Sequence, residues 1–110
     1  SGEATRGGTY VSVNTDEITC DTSGYEKGRS PVYVSVSGGN IDPKYTLRGV
    51  RGERVGTGNL GEAGSYAKPG KTYTTYLDAC SYDDGTKLIP SFEYRGKTVR
   101  SNGYVIVRHT

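Results

Sequence analysis

The chain has 110 residues, a formal net charge of +2 at pH 7 and 17 glycines, and it contains no methionine or tryptophan. This length predicts one domain over residues 1–110, with a modest core and no cofactor-dependent α/β enzyme. Only 19 residues are Val, Ile, Leu or Phe, but the low net charge and the ten tyrosines favour a folded domain over a disordered chain. No apolar run is long enough to predict a membrane span.

The apolar residues follow the period of β-strands and never that of a helix, and glycine interrupts nearly every long window. Alternation predicts strands, in chain order, over 9–14, 17–22, 31–37, 44–50, 53–57, 71–81, 87–95 and 98–108. It is clearest in the third segment, where Val32, Val34 and Val36 share one face. Pro90 predicts an edge strand or a bulge.

Turn sequences separate these segments and indicate the fold class. Glycine-containing turns at 83–85, 95–97 and 101–103 predict hairpins. Seven to eight short, mostly antiparallel strands at this spacing predict an all-β, single-domain β-sandwich. The glycine-rich segment 56–70 has no period and is predicted to be a long functional loop. Residues 1–8 are expected to form a flexible N-terminus.

Two cysteines, Cys20 and Cys80, form either one disulfide or a pair of free thiols. No Cys-x-x-Cys or Cys/His spacing is present, so a zinc site is not expected. A disulfide closing so long a loop stabilises a domain by about 4 kcal/mol. The small core favours the disulfide, which in turn predicts an extracellular or cell-surface protein.

The two cysteines are spaced much as in immunoglobulin-like domains, which this chain therefore resembles. In those domains the pair ties the two sheets together, so the resemblance implies an inter-sheet disulfide. The segment 69–79, Pro-Gly-Lys-Thr-Tyr-Thr-Thr-Tyr-Leu-Asp-Ala, also resembles the strand before the last hairpin in fibronectin type III domains. Both resemblances imply a β-sandwich and no particular function, because such sandwiches host many.

Catalysis is not expected of this sequence. Its one histidine, His109, is next to the last residue, where chain ends usually fray. The acidic pair Asp83-Asp84 is adjacent along the backbone and precedes Gly85, which predicts a turn rather than two carboxylates facing across a cleft. We therefore predict a protein that is not an enzyme, with no catalytic residues, no metal site and no cofactor.

Basic residues and one tyrosine form the candidate binding surface. Arginine supplies forked hydrogen bonds to carboxylate or sulfate, and an exposed tyrosine is a common interface anchor. The net charge of +2 argues against nucleic acid as the partner. We predict binding of a protein or an anionic polysaccharide by the arginine-rich segment and the loop after it, through Arg48, Arg51, Arg54, Tyr66, Lys68 and Lys71.

The predicted function is that of a secreted or surface, non-catalytic binding module. One alternative is a protease inhibitor that presents an exposed arginine of 48–54 to a trypsin-like enzyme, which incubation with a panel of such proteases tests. A further alternative is a structural module that self-assembles in a surface appendage or particle. A strictly monomeric protein in light scattering would count against that alternative.

Overall fold

The structure is a computed structural model that describes residues 9–21 and 29–109, so the predicted flexible N-terminus, 1–8, lies outside the described residues. Nine strands are found in the described part of the chain. They are β1 Tyr10–Val13, β2 Glu17–Asp21, β3 Arg29–Ser37, β4 Lys44–Arg48, β5 Arg54–Asn59, β6 Thr72–Asp78, β7 Lys87–Tyr94, β8 Lys97–Arg100 and β9 Tyr104–His109. A 3-10 helix, Ala79–Ser81, follows β6.

The strands form two sheets. The small sheet has the order β1-β3-β6, and the large sheet has the order β2-β9-β7-β4-β5, with β8 also paired to β7. Every strand pair is antiparallel except β2–β9, which is parallel. The predicted all-β sandwich of mostly antiparallel strands is confirmed.

Alternation along each strand separates core side chains from outward-facing ones, as the sequence predicts. Val32, Val34 and Val36 of β3 are buried, and Tyr33 between them is exposed. Phe92 of β7 is completely buried and packs against Tyr45 of β4, with ring centroids 4.9 Å apart. Aromatic rings thus fill much of a core that has few aliphatic side chains.

The Tyr45 ring is accommodated by a glycine on the neighbouring strand. Gly58 of β5 is the cross-strand partner of Tyr45, and a Cβ at Gly58 would overlap the ring. The Tyr45 hydroxyl lies 2.7 Å from Thr75 Oγ1, and the Thr75 hydroxyl donates to the carbonyl oxygen of Asn59 at 3.0 Å. Because Thr75 has one proton, Tyr45 is the donor in the first bond. This chain of hydrogen bonds joins the two sheets.

Burial raises the pKa of Tyr45 and that of Tyr104 above the ordinary value of 10.0. For both groups desolvation of the charged form is the largest cause. Tyr45 therefore keeps the proton that it donates to Thr75 throughout the physiological pH range.

A bulge divides the last predicted strand, 98–108, into β8 and β9. Both halves lie on the same side of β7, and two residues of β7, 89–90, face three residues, 101–103. The hairpin predicted at 101–103 is therefore wrong. Pro90 lies opposite this bulge, where its carbonyl accepts from the Ser101 amide at 2.9 Å. Since β7 has neighbours on both sides, Pro90 marks a bulge and not an edge strand.

Asn102, in the bulge, covers the free edge of the small sheet. Its side-chain oxygen accepts from the Val13 amide at 2.9 Å, and its side-chain nitrogen donates to the Val13 carbonyl at 3.2 Å. The amide group therefore takes the place of a neighbouring strand at the end of β1. An edge strand blunted in this way offers less unpaired backbone to other chains.

We expect Asn102→Ala to lower the free energy of unfolding by about 1–2 kcal/mol, because it leaves the Val13 amide and carbonyl without these partners. Urea unfolding measures the change. Asn40→Ala is the matched control, since Asn40 is exposed and its side chain forms no hydrogen bond with other described residues. Equal stabilities for the two variants would show that the Asn102 bridge contributes nothing.

Of the two other predicted hairpin turns, the structure confirms one and not the other. Arg95 and Gly96 join β7 to β8 as a two-residue hairpin, with φ angles of 50° and 78° that fit a type I′ turn, so this prediction is confirmed. The turn at 83–85 is not a hairpin, because β6 and β7 belong to different sheets. Segment 69–79 contains β6, which precedes the β7–β8 hairpin in the chain but belongs to the other sheet.

Cys20 and Cys80 form the predicted disulfide, with their Cα atoms 4.9 Å apart. Cys20 lies on β2, an edge strand of the large sheet, and Cys80 lies in the 3-10 helix directly after β6 of the small sheet. The bond thus ties the two sheets together. In the described part of the chain, no helix is long and apolar enough to cross a membrane.

Candidate functional site

The arginine-rich segment 48–54 forms the hairpin between β4 and β5. Arg48 ends β4, Arg54 begins β5, and the two are cross-strand partners. Arg51 lies in the connecting loop and is exposed. The loop is closed by hydrogen bonds from the Gly49 amide to the Glu53 carbonyl, 2.9 Å, and from the Gly52 amide to the Gly49 carbonyl, 3.0 Å.

Arg48 and Arg51 line a hollow of about 280 Å³ together with Arg100, at the end of β8. We call this site the arginine hollow; its remaining lining residues are Gly49, Val50, Gly52 and Ile89. Arg54 does not line it and faces a different depression, between Lys44 and Asn59. The hairpin therefore brings two of the three predicted arginines together, and a third arginine comes from a distant part of the sequence.

Tyr66, Lys68 and Lys71 lie in the connection between β5 and β6, and all three are exposed. This connection begins later than predicted, because residues 56–59 belong to β5. It is also anchored to the core. Leu60 and Ala67 are buried, and Ala67 forms a β-bridge with Ile41. Both lysines support this connection through their backbone: the Lys68 amide donates to the Tyr73 hydroxyl, and the Lys71 carbonyl accepts from the Val36 amide.

Three connections meet at the Tyr66 end of the sandwich. They are the β3–β4 loop, the β5–β6 connection and the β7–β8 hairpin. Between them lies an open groove of about 670 Å³, which we call the three-loop groove. It is lined by Gly38, Gly39, Asn40, Asp42, Tyr66, Pro69, Glu93, Tyr94, Arg95 and Gly96.

The three-loop groove combines aromatic surface with polar groups of both charges. The Tyr94 ring lies across Gly39, where a Cβ would overlap it. The Arg95 guanidinium carbon lies 5.7 Å from the centre of the same ring, within cation–π distance. A backbone hydrogen bond links two of these elements: the Asp42 amide, after the β3–β4 loop, donates to the Glu93 carbonyl of β7 at 3.0 Å. Tyr66 is 57% exposed, so its ring is available to a partner.

The arginine hollow and the three-loop groove lie at opposite ends of β4. That strand has five residues, which span about 17 Å. The hollow is at its Arg48 end, and the groove is at its Lys44 end, beside Asp42. The single surface predicted from segments 48–54 and 56–70 is therefore two separate surfaces.

The predicted binding residues do not include Tyr94 and Arg95 of the groove or Arg100 of the hollow. The turns at 38–40 and 95–96 are recognisable in the sequence, but only as chain reversals. One rule could have separated the two surfaces. When an odd number of antiparallel strands lies between two connections, those connections lie at opposite ends of the sandwich. Applying it requires the sheet order, which depends on pairing that the sequence does not reveal.

Comparison of the sequence with models of known protein families finds no match, and a comparison with curated proteins finds none either.

Proposed function

We propose that this protein is a non-catalytic recognition module that binds a protein partner through the three-loop groove. The observation that carries the proposal is the composition of the groove, whose ten lining residues include three glycines, two tyrosines, one asparagine and one arginine. Antibody combining sites are enriched in the same residue types, because tyrosine supplies rigid contact area and glycine and asparagine adapt to the partner. Tyr and Arg are also the residues that most often dominate binding energy.

The strand order supports a finer assignment to an immunoglobulin-like plan. In that assignment β1, β3 and β6 correspond to strands A, B and E, and β4, β5 and β7 correspond to C, C′ and F. The β8–β9 pair then takes the place of strand G. The groove-forming loops would be those after B, C′ and F, which lie at the end of the sandwich that antibody variable domains use for recognition.

The proposed location is outside the cell. The Cys20–Cys80 disulfide supports this location, because disulfides persist in oxidising compartments. Exposed tyrosine and glycine-rich loops on a disulfide-linked sandwich fit a domain that meets its partner there.

Peptides selected from a random displayed library test the proposal without a known partner. We expect Tyr66→Ala to weaken binding of the selected peptides roughly tenfold to a hundredfold, because it removes the exposed aromatic anchor. Tyr33→Ala is the matched control, since Tyr33 is 42% exposed in the middle of β3 and does not line the groove. Equal binding by both variants, measured by calorimetry, would overturn the assignment of the groove.

Self-assembly is the second candidate, and the outer face of the small sheet favours it. Aromatic residues without charges are typical of interface centres. This face carries uncharged side chains over most of its area, namely Tyr10, Ser12, Pro31, Tyr33, Ser35, Ser37, Thr72, Thr74 and Tyr76. Light scattering over a range of concentrations distinguishes this candidate, because only self-assembly makes the mass rise with concentration.

The protease-inhibitor alternative gains less support. Arg51 is exposed, but the loop that carries it is a closed turn, with the Gly52 amide bonded to the Gly49 carbonyl. An inhibitor segment that bound a protease as an added β-strand would have to be extended, which this turn is not. Inhibition of trypsin-like proteases remains the test of that alternative.

A further inference from the structure

The arginine hollow lies on the outer face of the large sheet, where three neighbouring strands contribute to it. Arg48 of β4 is the cross-strand partner of Ile89 on β7, and Arg100 of β8 is paired with Ser91, two residues further along β7. Cross-strand partners and next-but-one residues share a face of a sheet. The two arginines therefore flank β7, with Ile89 between them on the same face.

The β4–β5 loop holds the site in place. A guanidinium nitrogen of Arg48 donates to the Gly52 carbonyl at 2.9 Å, so this half-buried side chain is fixed against the loop. The Glu53 carboxylate is bound to the backbone, since it accepts from the Arg51 amide at 2.9 Å. A positively charged site that is already ordered loses little conformational entropy when it binds a ligand.

The Glu53 carboxylate lies beside Gly49, one of the lining residues, but it accepts from a backbone amide and does not pair with a lining guanidinium. Among the side chains that the structure describes, none of the three lining arginines forms an ion pair. Three like charges around a volume of about 280 Å³ repel one another, and a bound oxyanion relieves that repulsion. Guanidinium groups also match the oxygens of sulfate and phosphate through paired hydrogen bonds.

A buried hydroxyl group near the hollow also supports an anion site. Ser91 is 2% exposed, and its Oγ has no hydrogen-bond partner among the described residues. Buried hydroxyl groups nearly always have one. Ser91 lies on the same sheet face as Ile89 and is the cross-strand partner of Arg100, although it does not itself line the hollow.

We propose that the arginine hollow binds a sulfate group of a sulfated polysaccharide. The hollow takes one oxyanion, and cations continue beyond it on the same face. On β4, β5, β7 and β8, which are described throughout, this face carries one carboxylate, Glu93, and five cations, namely Lys44, Arg48, Arg54, Lys87 and Arg100. A chain with repeated sulfates gains from these cations what a free ion cannot. This proposal is independent of protein binding at the three-loop groove.

Dextran sulfate and uncharged dextran, which share one backbone, are the probes for this site. In amide-resolved NMR at 150 mM salt, we expect dextran sulfate to shift residues 48–52, Ile89 and Arg100, and dextran to shift none. Inorganic sulfate is expected to shift the same amides more weakly. Equal affinity for inorganic sulfate would assign the hollow to the free ion and overturn the polysaccharide proposal.

Variants of equal charge separate a built site from general attraction. Arg51→Gln and Arg100→Gln remove one charge each from the hollow, and Lys97→Gln removes one from the far end of β8. We expect about tenfold weaker binding of dextran sulfate for the first two and less than twofold for the third. Equal losses in all three variants, or equally tight binding of double-stranded DNA at the same amides, would overturn the proposal.

Discussion

Replacing both Cys20 and Cys80 with alanine is expected to lower the free energy of unfolding by about 4 kcal/mol. The two cysteines are 60 residues apart, so the bond removes much of the entropy of the unfolded chain. It also anchors β2, whose one partner among the described strands is β9. For a domain of this size the melting temperature falls by roughly 15 °C.

Urea unfolding under non-reducing conditions measures this change. The wild-type protein in reductant should match the double variant, and reductant should leave the double variant unaffected. A double variant within about 1 kcal/mol of the wild type would mean that the core suffices without the covalent link.

Gly58→Ala is expected to destabilise the protein by about 1–3 kcal/mol, although it adds only one methyl group. That methyl group would overlap the Tyr45 ring, which is buried and cannot move into solvent. Displacing the ring also breaks the hydrogen bond between the Tyr45 hydroxyl and Thr75, at the contact between the sheets.

Gly61→Ala is the matched control for this substitution. Gly61 directly follows Leu60, and a Cβ there would meet nothing within 4 Å. We therefore expect thermal unfolding of Gly61→Ala to resemble that of the wild type. If Gly58→Ala were equally stable, Tyr45 would not depend on the space that glycine leaves.

The strands were predictable because their cause is local. Val32, Val34 and Val36 alternate with polar residues, and this pattern indicates a strand whichever strand it pairs with. The Arg95-Gly96 turn was predictable from its glycine, since glycine readily adopts the left-handed conformation found at position 96; Arg95 adopts a left-handed conformation without that freedom. Packing explains part of the high glycine content, because Gly39 and Gly58 leave space for tyrosine rings.

Sheet membership was not predictable from the same signals. The turn at 83–85 has the residues of a hairpin, yet it leads from the small sheet to the large one. The choice depends on which faces bury each other, and this is a property of the whole core. Asn102 similarly has the sequence of a turn residue, and its bond to Val13 joins residues 89 positions apart.

The candidate site was only partly predictable, because closeness in sequence misled. Arg51 and Tyr66 lie in successive connections of the chain, but β5 separates them and places them at opposite ends of the sandwich. Arg100 completes the arginine hollow from the other side of β7. Only the pairing of β4 and β8 with β7 places it beside Arg48.

The separation of two binding surfaces is most directly tested by titrating one NMR sample first with dextran sulfate and then with a library-selected peptide. Two non-overlapping sets of shifted amides are predicted, with the sulfated chain affecting 48–52 and the peptide affecting 38–42, 66–69 and 93–96. Each ligand should bind with the same affinity in the presence of the other. Competition between them, or one common set of shifted amides, would contradict two separate surfaces.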